Sequence, residues 1–535
     1  MFVDFRDVPD GQVFQADVCI AGAGAAGITL ATELAAAGLD VCLLESGGLE
    51  LDYETQKLYE AGNLGIPRSP ATSMRLRFFG GTTNHWGGWC GRLEPGDFQE
   101  RPWVPASGWP ITRSQLDPFY DRAQQIVECA PFRTGAALAE EAGVPRPPLD
   151  ESVATLFAWQ MSPPVRFGEK FRAQLESSPR ARVVLHANVV NVQTNASADH
   201  VVHVDVRSLT GTSGKVMAAA YILSCGAIEN PRLLLCSASV DARGLGNTRD
   251  LVGRYFMEHL LTRELIAPEV DGDPYAIQRT YNWYQRPQGN YLLGLALTEQ
   301  VQQKERILNA GFFREWDRVE TPVSIAAYRL ASSLLHGRFS DDPSVSVGRV
   351  LRNLDQLVIN ARRKLLHPGS PILTNDASLL AITGEQAPNR DSRVVLLSSE
   401  RDALGMRRAA VDWRMNELDR RSLLRALELF AAQLWLCCRA RIHLPESMSN
   451  ELEEWVFNFT DHGHQMGGTR MADSPQRGVV DRACRVHGVD NLFISGSSVF
   501  PTSGQCNPTL TIVALALRLA DELKRSLRPG AGSVT

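Results

Sequence analysis

The run ADVCIAGAGAAGITLATELAAAGLDVCLLESGG, residues 16–48, limits the fold more than any other stretch of the chain. Ala16–Ala21 is a short apolar run of strand type. Gly22, Gly24 and Gly27 follow in a G-x-G-x-x-G pattern, and an alanine-rich helix comes next. A second apolar strand, Asp40–Leu44, ends at Glu45. Each part has a physical role. The first glycine makes a tight turn, the second lets the backbone approach a pyrophosphate, and the third lets helix and strand pack closely. The helix N-terminus then faces the phosphates, and an acid at Glu45 accepts from a ribose hydroxyl. Glycines alone serve ordinary turns. With strand, helix, second strand and acid at these spacings, the stretch reads as a Rossmann-like dinucleotide-binding unit. The motif does not separate FAD from NAD.

A chain of 535 residues is too long for one ordinary core and divides into two or more. Its net charge of −5 gives no indication of nucleic-acid binding. No apolar run reaches the roughly 18 residues of a membrane span. The start, MFVDFRDVPDGQVF, lacks the basic and apolar regions of a secretion signal, so a cytoplasmic location is the default expectation. Ten cysteines are scattered without a CxxC pair; Cys19, Cys42 and Cys225 sit in apolar runs and read as small buried hydrophobes. With no HExxH and no P-loop, no metal site is expected.

Two further stretches carry chemistry. FFGGTTNHWGGWC, residues 78–90, brackets His85 and Trp86 with two glycine pairs, a composition that lets a backbone lie against a flat ligand. Near the other end, HGHQMGGTRM places His464 ahead of Gly467–Gly468. Farther on, Asn507 and Pro508 precede the apolar helix Leu510–Leu523, where Asn507 reads equally as a cap. A histidine suits proton removal at neutral pH.

These segments resemble the glucose–methanol–choline (GMC) oxidoreductases. The likeness includes GAGAAG with Glu45 and Ser46, FGGTTNHWGG, SCGAIENPRLLLCS at 224–237, LVGRYFMEH at 251–259, HQMGGTRM and NPTLTIVALAL, in the family's order. TTNHWGG is similar to the pyranose oxidases and the bacterial sugar dehydrogenases near them. The resemblance implies an α/β flavoprotein fold of the p-hydroxybenzoate-hydroxylase type, with a Rossmann-like FAD-binding domain and a substrate domain on a mostly antiparallel sheet plus helices. It implies FAD as cofactor, held by Gly22, Gly24, Gly27, Glu45, Ser46, Gly81, Thr82, Asn84, His85, Trp86, Gly87, Val189, Gly496, Ser497, Asn507, Pro508 and Thr509. In pyranose oxidases the histidine matching His85 is bonded to the flavin, which leaves covalent and non-covalent FAD both open. The catalytic pair would be His464 and Asn507, with His464 as base and Asn507 holding the hydroxyl oxygen.

The expected function is oxidation of a secondary hydroxyl of a sugar, glycoside or similar polyhydroxy compound to a ketone, with oxygen, a quinone or another acceptor taking the electrons. Alternatives are a lyase of the same fold that keeps FAD structurally, a flavoprotein subunit that passes electrons to a partner protein, and a distant NAD-dependent dehydrogenase. The expected organisation is an FAD-binding part over 1–264, a substrate-binding part over 265–455 and a return to the FAD-binding part over 456–535. Thr112 reads as a helix cap, and Thr194–Arg207 as edge strands. Val394–Leu397 and Ala409–Trp413 read as a strand pair in the substrate-domain sheet, followed by a long helix over Arg420–Cys438. Arg349–Leu366 reads as an amphipathic helix, Asp341–Pro343 as a loop over the pocket, and His462 as a neighbour outside the reacting centre. Arg470 and Asp481 either touch the cofactor or tie loops together.

Overall fold

Apolar runs without alternation need cover on both faces, and the first sheet supplies it. In the computed structural model, which describes residues 1–265, 269–271, 273, 275–315, 362, 365–366, 380–442 and 460–527, Val18–Ala21, Val41–Leu44 and Ala220–Leu223 are buried throughout. The sheet runs in the order Phe2–Asp4, Ala181–Leu185, Val41–Leu44, Gln12–Ala21, Ser213–Leu223, Val201–Arg207 and Asn188–Thr194. Leu492–Ile494 also pairs with Ser213–Leu223. The pairings from Phe2–Asp4 to Ser213–Leu223 are parallel, as is that of Leu492–Ile494, whereas the last two strands join antiparallel at the edge. Helix Ala25–Ala36 covers this sheet and packs on helix Thr509–Ser526, whose buried residues lie on most sides.

The second large sheet is antiparallel and runs Thr460–Asp461, Leu260–Leu265, Leu380–Gly384, Ala310–Arg314, Gly289–Leu297, Ala154–Met161 and Trp89–Cys90. Trp283–Arg286 pairs with Gly289–Leu297. Three of its strands come from the N-terminal part of the chain, and position 264 falls inside Leu260–Leu265. Helix Glu417–Cys438 starts on a capping box between Asn416 and Asp419 and packs Phe430 against Phe312, ring centroids 5.6 Å apart. Thr112 caps helix Arg113–Ile126 through its side chain.

One sequence expectation is corrected. Arg393–Arg401 and Arg407–Asp412 do pair antiparallel, but they form a separate three-stranded sheet with Gly62–Asn63. The edge is taken by residues 62–66, whose backbone continues the ladder through Leu64 N to Val411 O (3.0 Å) and Ile66 N to Trp413 O (2.9 Å). Asp341–Pro343 lies outside the described residues, as does Arg349–Leu366 apart from Arg362, Leu365 and Leu366.

Buried polar contacts pin the loop after Trp89–Cys90 to the second sheet. Arg101 meets Glu385 through two hydrogen bonds of 2.5 and 2.8 Å, and both side chains are almost wholly inaccessible. Nearby, Asn309 Nδ2 donates to Asp97 Oδ1 (3.0 Å) and Glu94 Oε2 (3.2 Å). Burial first, then the neighbouring carboxylates, raises both Glu94 and Asp97 above the usual carboxylate range. The folded state therefore binds protons here more tightly than the unfolded chain. The stability these groups contribute is full at acid pH and is lost as pH rises through the raised folded values. Thermal unfolding at pH 9 is expected at a lower temperature than at pH 6, and Glu94→Gln is expected to reduce that fall. Equal pH slopes in calorimetry of the two proteins would refute this.

Candidate active site

Three parallel strands end side by side. In the sheet register Leu223 lies opposite both Ala21 and Ile494, and the chain turns immediately after each. The turns contain Gly22 (φ 98°), Gly226 (φ 89°) and Gly496 (φ 117°), in the left-handed region where glycine is favoured. A Cβ at Gly22 would stand 2.8 Å from Ser224 O, and one at Gly27 only 1.9 Å from Gly22 O, so these two glycines serve packing. A Cβ at Gly24, Gly226 or Gly496 would meet nothing within 4 Å. These three glycines line an open cradle at the edge formed by the carboxyl ends of the three strands. Helix Ala25–Ala36 begins on Gly24 with no side-chain cap, so its first N–H groups point to this edge without a side-chain acceptor.

The FFGGTTNHWGG stretch sits on that first turn. Gly80 N donates to Ala23 O (2.9 Å), and Phe79 N to Gly48 O (2.9 Å). A Cβ at Gly81 would be 3.0 Å from Gly24 Cα, which explains the glycine there. Thr82 lies in the same short helical turn, Gly81–Asn84. Asn84 donates to Phe79 O (3.1 Å) and Trp86 Nε1 to Val165 O (2.9 Å), so both brace the loop. His85 and Gly87 are exposed. Glu45 is buried; its carboxylate accepts from Ala23 N (2.9 Å) and Gly47 N (3.0 Å). Ser46 Oγ accepts from Arg77 (2.8 Å). Val189 lies in edge strand Asn188–Thr194, opposite Val206.

His464 is held by an antiparallel ribbon. Met257 and Met466 exchange two backbone hydrogen bonds of 2.9 Å, and Leu260 and Leu261 pair with Asp461 and Thr460. This pairing sets His259 against His462 and His464. Arg75 fixes the segment from the side, donating to Gln465 Oε1 (2.7 Å) and Gly463 O (2.9 Å). Ser497 Oγ donates to Gln465 O (2.6 Å), which seats the same segment on the Gly496 turn.

His464 Nδ1 lies 2.9 Å from His259 Nδ1 and 3.2 Å from His462 Nδ1, while its Nε2 lies 3.2 Å from Asn507 Nδ2. Helix Thr509–Ser526 takes Pro508 as N-cap, with no side-chain cap. Asn507 therefore serves the histidine, not the helix. Burial, then the neighbouring histidines and Arg75, lowers His464 well below the ordinary histidine range. Burial lowers His259 to about 4, against the pull of the Ser503 and Gly504 carbonyls. The nitrogens of His259, His462 and His464 lie within 4.8 Å of one another, a spacing one metal ion could bridge as well as protons.

Sequence reasoning gave His259, at the end of LVGRYFMEH, no role of its own, and read His462 as a neighbour outside the reacting centre; in the fold His462 Nδ1 stands 3.2 Å from His464 Nδ1. The signal for His259 is long-range strand pairing, which no local pattern reveals. Arg470 ties loops together: it donates to Ala106 O (2.6 Å) and stacks over Tyr255 at 4.5 Å. Asp481 accepts from Ala483 N (2.8 Å) and Arg485 N (2.9 Å) within its own turn.

Residues 17–334 match the model of the FAD dependent oxidoreductase family, and residues 388–516 match that of GMC oxidoreductase. The chain belongs to the GMC oxidoreductases. It is an FAD-dependent oxidoreductase. It is 24% identical to the fructose dehydrogenase large subunit of Gluconobacter japonicus, over 97% of this chain and 99% of that one. It is 26% identical to 6'''-hydroxyparomomycin C oxidase of Streptomyces lividus, over 94% and 90%. A solved formate oxidase shares the fold, with a TM-score of 0.56 at 17% identity over 97% of this chain and 100% of the other. Among the described residues no helix is long and apolar enough to cross a membrane.

The residues present fit FAD. The Gly24, Gly226 and Gly496 edge leaves room that a side chain would fill, and the uncapped helix start suits a pyrophosphate. Glu45 retains acceptor capacity for a ribose, because a carboxylate takes about four hydrogen bonds. Gly24→Val should fold and yet weaken FAD retention at least ~10-fold, about 1.4 kcal/mol. Gly27→Ala should lower the unfolding temperature. Flavin absorbance per chain and calorimetry check both, and full flavin content in Gly24→Val would refute the cradle.

Proposed function

We propose that this oxidoreductase converts a secondary hydroxyl of a sugar, glycoside or similar polyhydroxy compound to a ketone, with His464 Nε2 as the base. The observation that carries the reading is the His464–Asn507 pair, 3.2 Å apart, with His464 on a segment seated through Ser497 on the Gly496 turn. FAD, when bound, supplies the hydride acceptor for the carbinol carbon. A hydroxyl oxygen placed between the pair receives an amide hydrogen from Asn507 and gives its proton to Nε2. Nε2 has a single lone pair, so the Asn507 amide turns from Nε2 to the developing alkoxide as the proton arrives, and stabilises it there. Burial keeps His464 neutral and ready to accept. The polyhydroxy class is supported by the names of two relatives, one a fructose dehydrogenase and the other an aminoglycoside oxidase.

Mixing the holoenzyme anaerobically with sugars, glycosides and simple alcohols tests the reading through bleaching of the flavin band. Admitting air afterwards separates an oxidase from a dehydrogenase. His464→Gln is expected to slow flavin reduction by ~10² to 10⁴, and Asn507→Ala by ~10². Because only unprotonated His464 accepts the proton and its pKa is lowered, the reduction rate should be flat through neutral pH and fall only on the acid side. Unchanged reduction in His464→Gln would overturn the assignment of the base.

A further inference from the structure

A general base must hold its lone pair on the nitrogen that meets the substrate, and an isolated neutral imidazole divides its proton between two nitrogens. The protein decides which one. His259 Nε2 lies 3.3 Å from the carbonyl oxygen of Ser503, which can only accept, so this nitrogen carries the hydrogen. Neutral His259 then has a bare lone pair on Nδ1. That nitrogen is 2.9 Å from His464 Nδ1, which must therefore be the donor. The proton of neutral His464 sits on Nδ1, and its Nε2 is left bare. From the opposite end, the Asn507 amide nitrogen, 3.2 Å from Nε2, donates to a bare nitrogen and reaches the same conclusion.

Resting on the base assignment above, we propose that His259 is a positioning residue: anchored on the Ser503 carbonyl, it holds the His464 proton on Nδ1 and so makes Nε2 the atom that accepts the substrate proton. His462 Nδ1, 3.2 Å from His464 Nδ1, faces the same hydrogen as a second acceptor. When His464 takes the substrate proton, the resulting imidazolium keeps its Nδ1–H directed at His259, which stabilises the charge without itself gaining a proton. Burial holds His259 neutral for this role. His259 is fully buried and rigidly paired through the Met257–Met466 bridge, so the alignment is built into the sheet.

The test has one arm that needs no substrate. In holoenzyme labelled with ¹⁵N only at its eleven histidines, the resonance pair lost in His464→Gln identifies His464. The expected result is a protonated Nδ1 and an unprotonated Nε2 at neutral pH. The reverse pattern overturns the proposal, whatever the kinetics show. In the second arm, His259→Leu removes the acceptor, whereas His259→Asn restores an acceptor oxygen where Nδ1 stood. Flavin reduction is expected to slow ~10- to 100-fold in His259→Leu and to stay within about threefold in His259→Asn, with KM within about twofold in both.

The charged and titratable groups facing this chain are His462, Arg75 and, beside His259, Glu385. With them unchanged, loss of the acceptor leaves the His464 Nδ1 hydrogen without its partner, so flavin reduction slows in His259→Leu at every pH. A raised KM with unslowed flavin reduction would show a merely structural role and overturn the proposal. So would loss of activity on chelation restored by Zn²⁺, since a metal bridging the three histidines displaces the Nδ1 proton. Loss of the base assignment, seen as unchanged reduction in His464→Gln, is read separately from the tautomer.

Discussion

The register of three parallel strands governs this molecule. Gln12–Ala21, Ser213–Leu223 and Leu492–Ile494 end level with one another, although they are far apart in sequence. Because Leu223 faces both Ala21 and Ile494, the turns that follow open onto one edge. A slip along the strands would carry Gly24, Gly226 and Gly496 apart, and the space they leave would close. Burial on both faces of these strands resists such a slip, since it would force apolar side chains out of two packed layers. The histidine segment depends on the same register, because Ser497 holds Gln465 from the turn after Ile494.

Much of this edge was legible in the sequence because its signals are local. A strand, a glycine pattern and a helix start lie within Ala16–Ala36, and the structure assigns Gly22 and Gly27 to close packing and Gly24 to open space, as the motif's physics requires. The Gly80–Gly81 pair read as backbone lying against something flat. Part of what it lies against is the first turn itself, through the Gly80–Ala23 bond. Asn507 read equally as a cap or as a partner of His464, and only the position of Pro508 at the helix start decides between them. The rest was not legible because it is made by distant pairing. Nothing around Met257 announces Met466, yet their bridge makes His259 a neighbour of His464. Gly62–Asn63 likewise carries no mark of the strand edge it covers.

The two sheets solve different problems. The first brings backbone close to a ligand and does so with glycines and helix ends. The second carries buried polar groups, among them Arg101 with Glu385 and Asn309 with Asp97 and Glu94, that hold loops from the first part of the chain against strands of the middle part. Charged groups so far from water are tolerated only when paired, and removing one partner leaves the other at a cost of ~3–5 kcal/mol. These contacts hold the segment that follows the Trp89–Cys90 strand.

The ribbon joining residues 257–261 to 460–466 has a consequence for biosynthesis. A ribosome makes this chain from the glycine turn toward Asn507, so His259 emerges long before His464, 205 positions earlier. Until the later segment arrives, His259 lacks its partner ring, and strand Leu260–Leu265 lacks the neighbour Thr460–Asp461. The first sheet likewise waits for Leu492–Ile494. The nascent chain thus carries unfinished edges on both sheets through most of its synthesis, which is when exposed edges recruit other chains. Residues 460–507 add the late strands of both sheets and complete the reacting pair together, so a chain released before them has neither those pairings nor the pair.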